Sequence, residues 1–238
     1  MRRRFFVQKF DHRQATIEAE AAHHLGRVLR AQPGQLYELS DGSSVWLGRI
    51  ETVTRDRVDF ALIEKLPSYV PSLQTTLLLA VVKFDAFEWA LEKATELGAS
   101  RILPLAASRS EKALLSAAPK RAERWKKILL EASQQSRRLQ VPRLEALAQP
   151  ETAFHANNQG FCVLLSESLD AMPLRDLLSG TPSSAVLAVG PEGGWTDAEF
   201  AAARSAAFQE ASLGRLILRT ETAVVASLAA INFALSTE

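Results

Sequence analysis

From residue 75 to residue 235, apolar runs of strand length alternate with segments of helical spacing, and no other feature of the 238-residue chain constrains its fold as strongly. Residues 75–82 form a continuous apolar run, as a strand covered on both faces requires. Residues 84–97 then place Phe87, Ala90, Leu91, Ala94 and Leu97 on one helical stripe, which Gly98 ends. Further strands are predicted over 101–106, 161–166, 185–190 and 210–213, and helices over 120–138, 173–178, 197–206 and 222–235. This pattern predicts an α/β domain with a parallel sheet and helices on both faces.

The chain before residue 70 has a different texture. Short β-like segments dominate, at 3–7, 35–40, 45–53 and 57–63, with one helix over 19–30 that stops before Pro33-Gly34. Asp41-Gly42 is a hairpin signal, because both residue types tolerate positive φ. Pro67 and Pro71 make 65–72 a linker, since proline interrupts regular structure. Two domains are therefore expected: a small β-barrel-like one over 1–70 and the α/β one over 73–238.

Composition removes several function classes. A single cysteine, Cys162, forbids an internal disulfide, and it and four histidines lack zinc-ligand spacing, so no metal is expected. The basic start, Arg2-Arg3-Arg4, leads into an apolar run that Lys9 cuts short, and no stretch approaches the ~20 apolar residues of a membrane span. A cytoplasmic protein without membrane contact is the expectation. Net charge is only +1, yet residues 71–150 carry 13 basic and 8 acidic groups while 151–238 carry 4 and 10. A basic face on a near-neutral chain suits a polyanionic partner, and equally suits a solvated helix surface.

Four segments concentrate polar chemistry at the ends of predicted strands and helices. In Val189-Gly-Pro-Glu-Gly-Gly-Trp-Thr196 a buried strand runs through glycines into a helix that Thr196 and Glu199 cap as a box. Strand C-termini in open α/β sheets are where ligands bind, and glycine lets the backbone approach them, although a tight turn alone would also need it. Leu213-Gly-Arg-Leu-Ile-Leu-Arg-Thr-Glu-Thr-Ala223 sets charges before an almost wholly apolar, hence buried, helix. Glu131-Ala-Ser-Gln-Gln-Ser-Arg-Arg138 closes the long helix, where arginines also complement its dipole. Ala107-Ser-Arg-Ser110 follows a strand as a loop at the sheet edge.

Together with Lys93-Ala-Thr-Glu-Leu-Gly98 and His23-His-Leu-Gly-Arg-Val-Leu-Arg30, these segments resemble, in order and over nearly the whole chain, the ribosomal RNA small-subunit methyltransferase E family of the SPOUT superfamily. One departure is Gln134, where the family often has glutamate. The resemblance implies an N-terminal PUA-like RNA-binding barrel, a C-terminal domain with a trefoil knot, and a homodimer. It implies S-adenosylmethionine as methyl donor and N3 of a uridine in 16S ribosomal RNA, within the small ribosomal subunit, as the target. The donor site implied comprises Ser166, Gly190, Glu192, Gly193, Gly194, Leu213, Gly214, Ile217, Leu218, Arg219, Thr222 and Ala223.

Uracil N3 carries a proton at neutral pH, so a proton acceptor and a cation near the uracil oxygens are needed. Arg109, Arg137, Glu192 and Arg219 are the catalytic candidates, and Arg3, Arg4, Arg27, Arg30, Arg109 and Arg137 the RNA-binding ones. Two other readings fit the same features: an RNA-binding assembly factor without catalysis, and an enzyme acting on a ribose 2′-hydroxyl.

Overall fold

The computed structural model describes residues 3–168 and 170–236, in two units. The first comprises Met1–Val70 together with Ser133–Val141, the second Pro71–Ala132 and Pro142–Glu238.

In the first unit the elements are β1 (Arg4–Phe6), β2 (Gln14–Glu18), α1 (Ala19–His23), β3 (Leu36–Ser40), β4 (Val45–Val53) and β5 (Arg57–Leu66). They form one curled sheet in the order β1-β3-β4-β5-β2, antiparallel except for β1 on β3. Strand alternation sorts the side chains: Ala15, Ile17, Val58, Phe60 and Leu62 point inward with Phe5, Leu25, Leu39 and Ile50 into one core. The predicted hairpin is present, with Gly42 at φ +85° and Asp41 Oδ1 accepting from the N–H groups of Ser43 and Ser44, both at 2.9 Å. On the outer face Asp59 joins three strand segments, accepting from Thr16 (2.9 Å), Thr52 (2.9 Å) and Arg57 (2.8 Å).

Residues 133–141 complete this unit through polar contacts. Ser40 Oγ donates to the Leu139 carbonyl (2.8 Å), and Gln140 Nε2 donates to the Gly42 carbonyl (2.7 Å). The Arg4 guanidinium bonds Glu38 Oε2 at 2.9 Å and the Arg137 carbonyl, while Arg137 Nη1 lies 3.6 Å from Glu38 Oε1. Glu38 is buried, and the two arginines neutralise it.

Two local expectations change here. The helix expected over 19–30 is a short α1 followed by a wider turn, His24–Val28, in which Leu29 N–H reaches back to the His24 carbonyl (3.1 Å). Strand β2 was not expected, although Gln14-Ala-Thr-Ile-Glu18 alternates polar and apolar residues. Its five residues are too short for periodicity to stand out beside the helix-forming run that follows.

The second unit runs β6 (Gln74–Ala80), α2 (Phe84–Glu96), β7 (Arg101–Leu105), α3 (Lys112–Gln135), β8 (Arg143–Leu144), α4 (Pro150–Ala156), β9 (Phe161–Leu165), β10 (Met172–Pro173), α5 (Leu174–Leu177), β11 (Ser184–Val189), α6 (Asp197–Ser205), β12 (Gln209–Ser212) and α7 (Thr220–Leu235). Its sheet is parallel throughout, in the order β10-β12-β9-β11-β6-β7-β8. The central strands are buried on both faces, as their continuous apolar sequence requires. Helix α3 begins at Lys112 and contains Pro119, which lacks an N–H and interrupts the helical ladder. A sequence reading that starts the helix after that proline misses its first turns. Helix α7 packs on α2, burying Val224, Leu228, Ile231 and Leu235 while leaving Phe233 94% exposed. Among the described residues no helix is long and apolar enough to cross a membrane, and no group of His, Cys, Asp and Glu is placed to hold a metal ion. Cys162 is buried, and burial pushes its thiol pKa up.

Candidate active site

Strand β11 delivers the chain into Gly190-Pro-Glu-Gly-Gly194 at the C-terminal edge of the sheet. Gly190 is needed for close packing, since a Cβ there would lie 3.0 Å from the Trp195 ring. Gly194 adopts φ +70°, which side chains disfavour. The loop ends in the capping box expected from the sequence. Thr196 Oγ1 accepts from Glu199 N–H (3.3 Å), and Glu199 Oε2 accepts from the Thr196 N–H (2.8 Å). This fixes the start of α6 and so the direction in which the loop leaves the sheet.

Four further bonds hold the loop from different sides. The second oxygen of the buried Glu199 carboxylate, Oε1, accepts from the Ser108 N–H (2.8 Å), in the turn that follows β7. Arg109 in that turn donates from Nη1 to the Gly193 carbonyl (2.6 Å). Trp195 Nε1 donates to the Leu165 carbonyl at the end of β9 (3.0 Å), and Thr220 Oγ1, opening α7, donates to the Gly190 carbonyl (3.0 Å). Trp195 also stacks edge-on against Phe154, with ring centroids 5.8 Å apart. The backbone of the loop is therefore held before any ligand arrives.

Between β12 and α7 the chain crosses residues 213–219 without regular structure. Among the described residues, the backbone N–H groups of this crossing make no hydrogen bond within the chain. Leu216 and Ile217 are 83% and 79% exposed. Crossing, glycine loop and the end of β9 enclose a cavity of about 410 Å³. Its apolar wall includes Leu165, Val189, Leu218 and Ala223. Its charged groups are the carboxylates of Glu167, Glu192 and Asp197 and the guanidinium groups of Arg109 and Arg215.

Of the donor-site residues expected from sequence, Ser166, Gly190, Glu192, Gly194, Leu213, Gly214, Ile217, Leu218 and Ala223 line this cavity. Gly193, Arg219 and Thr222 do not; Gly193 instead accepts the Arg109 bond, and Arg219 is the exposed N-cap of α7. Arg137 belongs to the first unit, where its side chain pairs with Glu38. Arg4 is buried against Glu38, so its guanidinium is already engaged, whereas Arg3, Arg27 and Arg30 are exposed on that unit. Glu167, Trp195 and Thr220 were missed. Glu167 carried a usable signal, standing next to Ser166 just past a strand end; the bonds of Trp195 and Thr220 to distant carbonyls leave no sequence trace.

Comparison with known proteins names this arrangement. A model described as RNA methyltransferase domain matches residues 70–232, and one described as RNA methyltransferase PUA domain matches 17–63. The chain is 34% identical over 230 residues to ribosomal RNA small subunit methyltransferase E of Synechocystis sp., covering 91% of this chain and 72% of that protein. The chain belongs to the ribosomal RNA small subunit methyltransferase E family. Another member, from Bacillus subtilis, is 31% identical over 92% of this chain and 89% of its own length. The family's fold is shared by the crystal structure of the Neisseria gonorrhoeae methyltransferase E bound to S-adenosylmethionine, at TM-score 0.89 and 29% identity over 99% of both chains. A methyltransferase of Legionella pneumophila, also bound to S-adenosylmethionine, aligns at TM-score 0.90 and 26% identity over 100% of both chains.

The cavity of this family member suits that cofactor. Its volume lies in the range of small-molecule sites. Three carboxylates against two guanidinium groups favour a ligand of net positive charge, such as one carrying a sulfonium and an ammonium. The N–H groups of 213–219, which make no bond within the chain, supply donors for an adenine nitrogen and a carboxylate.

Proposed function

We propose that this chain transfers a methyl group from S-adenosylmethionine to N3 of a uridine in the 16S RNA of the small ribosomal subunit. The observation that carries this reading is the cavity itself, closed by a pre-tethered glycine loop and a crossing whose N–H groups are free to bind. Support comes from family membership and from relatives with the cofactor bound.

In this reading the donor lies with its adenosine against Leu165, Val189, Leu218 and Ala223, along Ser166, Gly190, Glu192, Gly194, Leu213, Gly214 and Ile217. Gly193, Arg219 and Thr222, each next in sequence to a lining residue, complete the site. When bound, the donor supplies an already activated methyl group, so the chain's task is alignment and proton removal. Arg109, Arg137 and Arg219 are the candidate cations for the uracil oxygens or the RNA backbone, and the N3 proton passes to a carboxylate on the cavity, Glu192 being one candidate. Domain 1–70 binds RNA through Arg3, Arg27 and Arg30, with Arg4 held on Glu38, and 73–238 is the knotted catalytic domain, the 213–219 crossing forming its knot. The protein works in the cytoplasm as a homodimer, with the exposed Phe233 and Trp89 on the paired helices α7 and α2 forming its contact face.

The test is chemical. Small subunits from a strain lacking the gene, incubated with the protein and methyl-labelled donor, are digested and their nucleosides separated by mass spectrometry. N3-methyluridine is the expected product; 2′-O-methyluridine, or no label, overturns the assignment.

A further inference from the structure

Glu167 is not among the groups assigned a role above, yet it has a particular neighbour. A Cβ built on Gly194 would lie 3.6 Å from Glu167 Oε1 and 3.8 Å from Arg109 Nη1. A carboxylate and a guanidinium thus converge, at the rim of the cavity, over the one residue that keeps the space between them empty. Both are exposed and both line the same cavity. Arg109 is oriented by its bond to the Gly193 carbonyl, the only hydrogen bond of its side chain among the described residues, which leaves other N–H groups of its five to donate. Glu167 is set by its place just beyond the end of β9.

An acceptor beside a donor is the complement of an imide edge, in which an N–H stands next to a carbonyl. Uracil presents that edge at N3–H and O4. Cytosine presents the reverse, a bare ring nitrogen next to an amino group, and would set acceptor against acceptor and donor against donor. A mismatch of this kind leaves polar groups unpaired, which discriminates far more strongly than shape alone.

We infer that Glu167 and Arg109 together read the imide edge of the target base, and that Glu167, rather than Glu192, takes the N3 proton. The inference rests on the methyl-transfer reading and specifies its base. The step balances: the N3 proton passes to a Glu167 oxygen, and N3 takes the methyl group with the methyl–sulfur bonding pair left on sulfur. Arg109 stabilises the charge that develops on O4, and the carboxyl then returns its proton to water.

The experiment compares wild type, Glu167→Gln, Glu167→Ala and Glu192→Gln in single-turnover methylation of small subunits, with donor affinity measured calorimetrically. Affinity for short RNAs bearing uridine, N3-methyluridine or cytidine at the target is measured with S-adenosylhomocysteine present. A wild type that transfers no methyl group defeats the underlying reading. With wild type active, Glu167→Gln is expected to slow transfer at least about 100-fold with donor affinity within twofold, a loss in the range seen for general bases. Its residual rate should climb about tenfold per pH unit as uracil ionises unaided. Wild type should bind the uridine RNA at least about tenfold more tightly than the other two, and Glu167→Ala should erase that preference. A Glu167→Gln rate within threefold of wild type, a preference unchanged in Glu167→Ala, or the large loss occurring in Glu192→Gln instead, overturns the inference.

Discussion

Glu199 Oε1 accepts a 2.8 Å hydrogen bond from the Ser108 N–H across 91 residues of sequence, while its other oxygen caps α6. One buried carboxylate thereby joins the turn after β7 to the loop after β11. Replacing it with alanine leaves the N–H groups of Ser108 and Thr196 without their charged partner. Loss of charge-assisted bonds of this kind costs about 3 kcal/mol, and urea unfolding of Glu199→Ala should show a deficit of that order. Donor affinity should fall as well, because Arg109 and the glycine loop lose their shared anchor.

Gly194→Ala meets two obstacles in one place. Its φ of +70° costs a side chain roughly 1–2 kcal/mol, and the new methyl occupies the gap between Arg109 and Glu167. Urea unfolding should show a deficit of that order, and affinity for a short RNA bearing the target uridine, measured with S-adenosylhomocysteine present, should fall because the filled gap no longer admits the base.

Asp59 offers a pH-dependent test in the first unit. Partial burial alone raises its pKa, but bonds from Arg57, Thr16 and Thr52 outweigh that and hold it below the usual carboxylate value. A group lowered on folding stabilises above its unfolded pKa, about 3.9, and the contribution disappears as pH falls through the folded value. Asp59→Asn should therefore unfold at lower urea than wild type at pH 7, and the two curves should draw together as the pH falls through the lowered folded value of Asp59.

Phe233 is the most exposed large apolar side chain described. If it lies in the dimer contact, Phe233→Asp should weaken self-association on the order of 100-fold, as loss of an aromatic anchor does. Sedimentation velocity across a concentration series reads this directly; an unchanged profile removes α7 from the contact.

Legibility in the sequence followed the range of the interaction. The glycine loop, the Thr196–Glu199 box and the Asp41-Gly42 hairpin were readable because turn chemistry and caps act between residues close in sequence. The second bond of Glu199, the tie from Trp195 to Leu165 and the pairing of Arg4 with Glu38 were not, since each joins residues 30 or more apart. Pro119 misled for the opposite reason: a strong local signal was overridden by the packing of Ala118 and Trp125 in the helix around it. Arg137 looked free as a helix-terminal arginine and is paired, because nothing near it in sequence shows that Glu38 is buried.

The seam between β3 and residues 133–141 also has a temporal meaning. A nascent chain that has released all five strands of the barrel still lacks the partners of Ser40 and Gly42 and the carbonyl that Arg4 binds. At about 5–20 residues per second, the ribosome takes several seconds more to extrude them. Throughout that interval the amino-terminal module is exposed to proteases and chaperones in an unfinished form, and its maturation is tied to synthesis of the segment that follows α3.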